Sequence, residues 1–261
     1  CKDECLPEET NRRIVDIISD VNLAYSEHAR RYLADCGLPK ERTYVTGSPM
    51  VEVLTENLDA IKASDVHQRL GLEKGKYILL SAHREENIDT EKNFTSLFTA
   101  INKMAEKYDM PILYSCHPRS RKRLEASGFK LDSRVIQHEP LGFHDYNCLQ
   151  MNAFAVVSDS GTLPEESSFF TSIGHPIPAV CIRTSTERPE AVDKACFILS
   201  GIDTKGLLQA VDTAVEMVKD EKNGGAIPVP DYTDINVSDK VVKIIQSYVG
   251  VVNKMVWRKE V

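Results

Sequence analysis

The sequence predicts an α/β protein with Rossmann-like parallel sheets. Short apolar, β-branched runs alternate with helix-length amphipathic segments along almost the whole chain of 261 residues. Strands separated by crossover helices run parallel, and helices cover both faces of their sheet. We therefore expect one doubly wound domain in the longest such series, between about residues 75 and 200. Its strand candidates are Tyr77–Ser81, Ile112–Ser115, Val135–Gln137, Phe154–Ser158, Ala179–Ile182 and Phe197–Leu199.

The predicted helices show the periodicity of one buried face. Asn93–Lys107 carries apolar residues at helical spacing, and Leu207–Lys219 does the same. A last long helix is predicted from Val237 to Trp257, although Gly250 weakens it because glycine is a poor helix former.

The first 49 residues are organised differently. They hold only two strand candidates, and two parallel strands cannot form a stable sheet by themselves. We therefore expect residues 1–49 to be the tail of an incomplete N-terminal Rossmann-like domain, and residues 50–236 to form a second one. The helix in residues 237–261 is expected to pack back towards the first. The elements of the first segment are a helix from Pro7 to Ile18, a helix that Ser26 caps and Gly37 ends, and the strands Val21–Tyr25 and Thr43–Val45.

Composition excludes several classes of partner. The net charge of −7 repels phosphate backbones, so we expect no nucleic-acid partner. No stretch contains the ~18 consecutive apolar residues of a membrane helix, so we expect no membrane partner. The seven scattered cysteines form no Cys-x-x-Cys pair, which predicts reduced thiols in the cytoplasm and no metal site. The glycine fingerprints of ATP and NAD sites are absent.

A glycine turn between a strand and a helix is the most informative place. The strand ending at Ser158 is followed by Gly161, and Pro164 starts a helix. Free backbone N–H groups and the helix dipole favour a phosphate there. Ser160 can add a hydroxyl donor, and Gly161 lets the phosphate approach the backbone. The alternative is a well-capped helix without a ligand.

Two glutamates in the same segment have different predicted roles. Thr162 and Glu165 have the spacing of a capping box, which would make Glu165 structural. Glu166 is not needed for that cap, and a carboxylate beside a phosphate site can accept hydrogen bonds from a ribose diol.

Two further loops carry cations at the carboxyl ends of predicted strands, where ligands bind in open parallel sheets. His83 and Arg84 could neutralise a diphosphate, or they could belong to a solvated loop. Arg188 could form a bidentate pair with a phosphate or carboxylate. The alternative for Arg188 is a surface salt bridge with Glu187 or Glu190.

Seven short motifs occur together in a characteristic order. Each is weak alone, but their order and spacing resemble the non-hydrolysing UDP-N-acetylglucosamine 2-epimerase family along essentially the whole chain. The motifs are Pro-Glu-Glu-Thr-Asn-Arg (7–12), Thr-Gly-Ser-Pro (46–49), His-Arg-Glu-Glu-Asn (83–87), His-Pro (117–118), Glu-Pro-Leu (139–141), Asp-Ser-Gly-Thr (159–162) with Glu-Glu (165–166), and Thr-Glu-Arg-Pro-Glu-Ala (186–191).

The resemblance implies a GT-B-like pair of Rossmann-like domains, the first truncated here, with UDP held mainly by the second. It places Ser160 at the diphosphate, Glu166 at the ribose and Glu8 among the carboxylates of the catalytic cleft. The predicted catalytic residues are thus Glu8 and His83, and the predicted substrate-binding residues are Arg12, Arg84, His117, Ser160, Gly161, Thr162, Glu166 and Arg188.

The function that the resemblance implies is an isomerase. It would convert UDP-N-acetylglucosamine to UDP-N-acetylmannosamine by eliminating and re-adding UDP, without a cofactor, as a cytoplasmic homodimer that supplies capsule and other cell-surface polysaccharide. Family members are longer and carry catalytic Asp and Glu residues upstream of Glu8, so this chain alone is expected to be inactive. Three alternatives remain: a 2-epimerase of the UDP-N-acetyl-L-fucosamine branch, which Asp-Ser-Gly-Thr resembles, a GT-B glycosyltransferase, and a non-catalytic UDP-sugar-binding domain.

Overall fold

The computed structural model describes residues 7–220 and 222–259, apart from the side chains of residues 7, 8 and 223. It divides into two compact units. Unit 1 takes its described residues from 1–55 and 229–261, and unit 2 comprises 56–228. The strands are β1 (Asn22–Ala24), β2 (Thr43–Val45), β3 (Ile78–Ser81), β4 (Ile112–Ser115), β5 (Val135–His138), β6 (Ala155–Ser158), β7 (Ala179–Cys181) and β8 (Ile198–Leu199). The α-helices are α1 (Pro7–Ile18), α2 (Glu27–Asp35), α3 (Met50–Lys62), α4 (Val66–Leu70), α5 (Glu85–Ile88), α6 (Glu91–Tyr108), α7 (Pro118–Ser127), α8 (Phe143–Asn152), α9 (Leu163–Ser172), α10 (Pro189–Val192), α11 (Thr204–Asp220) and α12 (Val237–Met255).

Unit 2 is built on one parallel sheet of six strands. Its strand order is β5-β4-β3-β6-β7-β8, and every neighbouring pair is parallel. The residues of β3 and β6 are buried on both faces, which explains why they are continuous apolar runs. The predicted apolar face of α6 packs into the core through Phe94, Leu97, Phe98, Ile101 and Met104.

The strand order creates a switch point in the middle of the sheet. Counted along unit 2, the order is 3-2-1-4-5-6, which is that of a Rossmann fold. β3 and β6 are neighbours there, with Ser81 opposite Ser158. Because the crossovers from these two strands depart to opposite sides, a crevice opens at their carboxyl ends. The predicted α/β class is confirmed, and each predicted strand lies within one residue of an observed one.

Unit 1 contains a two-stranded parallel sheet of β1 and β2. Ser26 caps α2 as predicted, since its Oγ accepts the Ala29 amide at 3.1 Å. Gly47 has a φ of +89°, and a Cβ there would lie 2.7 Å from the carbonyl oxygen of Asp231, so this close approach requires glycine.

α12 runs unbroken through Gly250, because one glycine costs only about 1 kcal/mol in a helix of 19 residues. Within the described ranges, no helix combines the length and apolar character needed to cross a membrane.

Candidate functional site

The candidate site of unit 2 lies at the switch point, and Asp159 joins the two loops that form it. Asp159 directly follows β6 and is fully buried. Its carboxylate accepts the backbone amides of His83, at 3.1 and 3.0 Å, and of Arg84, at 2.9 Å. The side-chain amide of Asn87 donates to it as well, at 3.0 Å. Asp159 therefore holds the loop after β3 against the end of β6.

The His83 ring lies beside the same carboxylate. Its Nδ1 is 3.2 Å from Asp159 Oδ1, and 43% of the side chain is exposed. The ring is thus oriented from one side by a buried anion and remains accessible from the other. This arrangement can present an imidazole to a ligand at the carboxyl edge of the sheet.

Arg84 packs against the glycine turn that follows β6. A Cβ built on Gly161 would lie 3.2 Å from Nη2 of Arg84, so the absence of a side chain allows the guanidinium to approach the turn. Nη1 of Arg84 is 4.0 Å from Glu187 Oε1, a long and weak ion pair. The structure therefore brings a predicted cation and the predicted phosphate turn together at one edge.

The turn itself is held by hydroxyl groups rather than by the predicted capping box. Thr162 makes no side-chain cap bond at the start of α9. Its Oγ1 instead donates to Glu166 Oε1 at 2.8 Å and lies 2.9 Å from Ser160 Oγ. The capping-box interpretation of Thr162 and Glu165 is thus wrong. The backbone of α9 places Glu166, four residues from Thr162, within reach of its hydroxyl.

Glu166 is a buried carboxylate with two fixed donors. It is 6% exposed, and its second oxygen accepts Nε2 of Gln150 at 2.9 Å. Burial raises the pKa of Glu166 above its usual range, and the donors Gln150 and Thr162 oppose that rise. The site therefore contains a carboxylate with both oxygens hydrogen-bonded, close to Ser160 and Gly161.

Replacing Glu166 by glutamine is expected to stabilise unit 2 relative to the wild type at pH 8, with a gain that shrinks as the pH falls towards 4.5. The unfolded glutamate titrates near 4.5, and the folded one at a higher pH. Rising pH then removes a proton that the folded state binds more tightly, so the wild type loses stability while the neutral variant does not. Urea unfolding of both proteins between pH 4 and 8 measures this. A difference that does not change with pH would contradict it.

The other cations of the edge are matched by carboxylates. Arg183 is buried, with Nε 3.1 Å from Glu86 and Nη2 3.5 Å from Glu187. Arg188 Nε lies 3.7 Å from Oε1 of Glu165, and its Nη1 donates to the carbonyl of Glu187 at 3.3 Å. A phosphate would thus compete for Arg84 and Arg188 with carboxylates already in place.

The remaining predicted residues belong to other elements. His117 is exposed after β4, the strand beside β3, and its Nδ1 accepts the Arg119 amide at 3.3 Å as the cap of α7. Arg12 lies on α1 in unit 1. Glu8 is also on α1, but its side chain is outside the described residues.

Sequence reasoning missed Asp159 and Gln150 as parts of the site. Asp159 directly follows a buried strand, and that position was a usable signal. Gln150 carried no such signal, because it lies in a helix of low apolar periodicity and its burial depends on the packing of α8.

Comparison with known proteins identifies the family. The family model described as UDP-N-acetylglucosamine 2-epimerase matches residues 1–246. A UDP-N-acetylglucosamine 2-epimerase of Methanococcus maripaludis is 33% identical over 217 residues, which are 80% of this chain and 58% of that protein. The chain thus spans about three fifths of the length of such relatives.

Solved structures agree with this assignment. The UDP-N-acetylglucosamine 2-epimerase of Rickettsia bellii superposes with a TM-score of 0.88 at 40% identity, covering 99% of this chain and 68% of that one. The Methanocaldococcus jannaschii enzyme, solved in complex with UDP-GlcNAc and UDP, gives 0.81 at 28% identity over 94% of this chain and 66% of that one. The predicted GT-B-like fold class is confirmed, and the chain belongs to the UDP-N-acetylglucosamine 2-epimerase family.

Proposed function

We propose that the whole protein interconverts UDP-N-acetylglucosamine and UDP-N-acetylmannosamine, and that unit 2 binds the UDP. The observation that carries this proposal is the approach of the Arg84 guanidinium to the Gly161 turn, at the switch point of a Rossmann sheet. A diphosphate needs donors that converge on one place, and such crevices are where open parallel sheets bind ligands. Membership of the epimerase family supports the choice of nucleotide.

Each donor of the edge has a proposed partner on UDP. Arg84, the Ser160 hydroxyl and the backbone at Gly161 would bind the diphosphate, with Arg188 leaving Glu165 to join them. The ribose diol would donate to Glu166. Binding of the anion would turn the Ser160 hydroxyl from Thr162 Oγ1 to the diphosphate, while Thr162 keeps its bond to Glu166.

The proposed chemistry follows from the substrate. The proton on C2 is not acidic, because no carbonyl adjoins that carbon. A base would therefore remove this proton while the electron pair of the C2–H bond forms a C1=C2 double bond, and the electron pair of the breaking C1–O bond would leave with the diphosphate oxygen of UDP. Re-addition would form the C1–O bond again and return a proton to the other face of C2. The steps exchange no electrons with a cofactor, and donors on the diphosphate would stabilise the departing charge.

Two residues have proposed catalytic roles in this reaction. His83 would contact the departing diphosphate, since its ring is held by Asp159 at the same edge. Glu8 would serve as a carboxylate for the C2 proton or the ring charge, a role that rests on its match to the family motif. We further propose that the whole protein is a cytoplasmic homodimer whose product enters capsule or other cell-surface polysaccharide.

Turnover of UDP-N-acetylglucosamine in heavy water is expected to place one deuterium at C2 of the recovered UDP-sugars. The elimination route requires it, because the proton returned to C2 comes from a group that exchanges with solvent. Proton NMR of the recovered sugars measures the label. Epimerised product without deuterium would reject the route. If deuterium entered C2 only when a different UDP-N-acetyl sugar was supplied, the elimination route would stand and the proposed substrate would be wrong.

A further inference from the structure

Gln150 is a buried amide whose nitrogen faces a carboxylate. The residue is fully buried on α8. Its Nε2 lies 2.9 Å from Glu166 Oε2 and 3.3 Å from Asn147 Oδ1, and both of these oxygens are acceptors. The amide nitrogen must therefore face Glu166, with the carbonyl oxygen pointing elsewhere.

The carbonyl oxygen of Gln150 is unsatisfied. Among the described residues, Oε1 has no hydrogen-bond partner and is shielded from solvent. A buried acceptor without a donor destabilises the folded state. A methionine of similar size would fill the same space without that cost. The contacts that the amide does make run through its nitrogen, to the Glu166 carboxylate at 2.9 Å and to Asn147 Oδ1 at 3.3 Å.

Thr162 completes the support of the same carboxylate. Its hydroxyl donates to the other oxygen of Glu166, at 2.8 Å, and receives the Ser160 hydroxyl at 2.9 Å when Glu166 is ionised. The two donors come from different elements, the loop before α9 and the middle of α8. The direction of the carboxylate is therefore fixed from two sides.

We propose that Gln150 and Thr162 are positioning residues that orient Glu166 towards two adjacent hydroxyls, so that the site selects ribonucleoside over deoxyribonucleoside diphosphates. This inference rests on the proposed binding of UDP at the edge. Each carboxylate oxygen has two acceptor positions, and the protein donors occupy one on each. Among the residues that the structure describes, no other donor takes the further position on either oxygen, which suits the 2′ and 3′ hydroxyls of a ribose.

The two donors also keep the carboxylate able to accept. Burial alone raises the pKa of Glu166, and a protonated acid offers fewer acceptor positions to a diol. Loss of either donor would favour the protonated form and free the side chain to rotate. Both effects weaken binding of the diol more than binding of the diphosphate.

The test compares UDP with 2′-deoxy-UDP by calorimetry on the whole protein. The wild type is expected to bind UDP at least about tenfold more tightly, because a carboxylate–hydroxyl bond would be lost with the deoxy nucleotide. Gln150→Met and Thr162→Val are each expected to reduce this ratio several-fold, mainly by weakening UDP binding. Gln209→Met, on the exposed face of α11, is the matched control and should keep the wild-type ratio.

Stability measurements separate positioning from a structural role. Gln150→Met is expected to fold and to melt a little below the wild type, since removal of the unsatisfied Oε1 offsets part of the cost of leaving Glu166 Oε2 without its Gln150 donor. If Gln150→Met fails to fold, the ratio of UDP to 2′-deoxy-UDP affinity in Thr162→Val tests the inference instead. Variants that fold and retain the wild-type ratio would overturn the inference while the wild type still binds UDP. A wild type that binds UDP and 2′-deoxy-UDP equally would also overturn it. A wild type that does not bind UDP would overturn the proposed function itself.

Discussion

Replacing Asp159 by alanine is expected to destabilise unit 2 by about 3 kcal/mol. The change removes a fully buried carboxylate and leaves the amides of His83 and Arg84 without their acceptor, while Asn87 keeps only its bond to the carbonyl of Ile182. An unsatisfied buried donor costs about 1–3 kcal/mol, and the cavity left by the side chain adds to this cost. Urea unfolding followed by circular dichroism measures the loss.

Asp203 provides the matched control for this prediction. It is exposed and accepts one backbone amide, that of Gly206, at 2.9 Å. Its replacement by alanine is expected to cost about 1 kcal/mol, as for a helix cap. Asp159→Asn keeps the shape of the side chain and one acceptor oxygen. Its loss of stability should lie between those of Asp203→Ala and Asp159→Ala. An Asp159→Ala variant no less stable than Asp203→Ala would show that Asp159 does not organise the loop after β3.

Replacing Arg84 by alanine is expected to lower the affinity for UDP about 10- to 100-fold. A hydrogen bond from a charged donor contributes about 1.5–3 kcal/mol, which corresponds to that range. The fold should lose less than about 1 kcal/mol, because the ion pair of Arg84 with Glu187 is long and partly exposed. Calorimetric titration with UDP and a thermal melt measure the two effects separately.

Arg134 controls for the change of net charge. It directly precedes β5, so it lies at the amino edge of the same sheet, where it pairs with Asp132 and Asp109. Arg134→Ala removes one positive charge, as Arg84→Ala does, and should leave UDP affinity within about twofold. Equal losses in both variants would assign the effect to long-range charge and argue against a phosphate contact by Arg84.

The secondary-structure elements were predictable because their signals are local. Strands buried on both faces are apolar at every position, as in β3 and β6, and α6 repeats its apolar residues at helical spacing. The predicted ends of the strands also gave the positions of His83, Arg84 and Ser160. The structure confirms that these residues follow the carboxyl ends of β3 and β6. The order of the strands is not local, and only the structure shows that β3 and β6 are neighbours.

The interactions of individual side chains were harder to predict. Thr162 was expected to form a capping box with Glu165, yet its hydroxyl reaches Glu166, and Glu165 lies near Arg188. Thr162 and Arg188 each have several carboxylates nearby in the sequence. Spacing restricts the choice to a few residues, but differences of about 1 Å in distance decide among them.

The α/β class, the positions of the strands and the edge that holds the candidate site follow from the amino-acid sequence, because burial and periodicity act over short segments. Only the folded protein shows that Asp159 holds a loop 76 residues away and that Gln150 supports Glu166. Such partners depend on how whole elements pack, since a hydrogen bond forms only where packing sets both distance and direction.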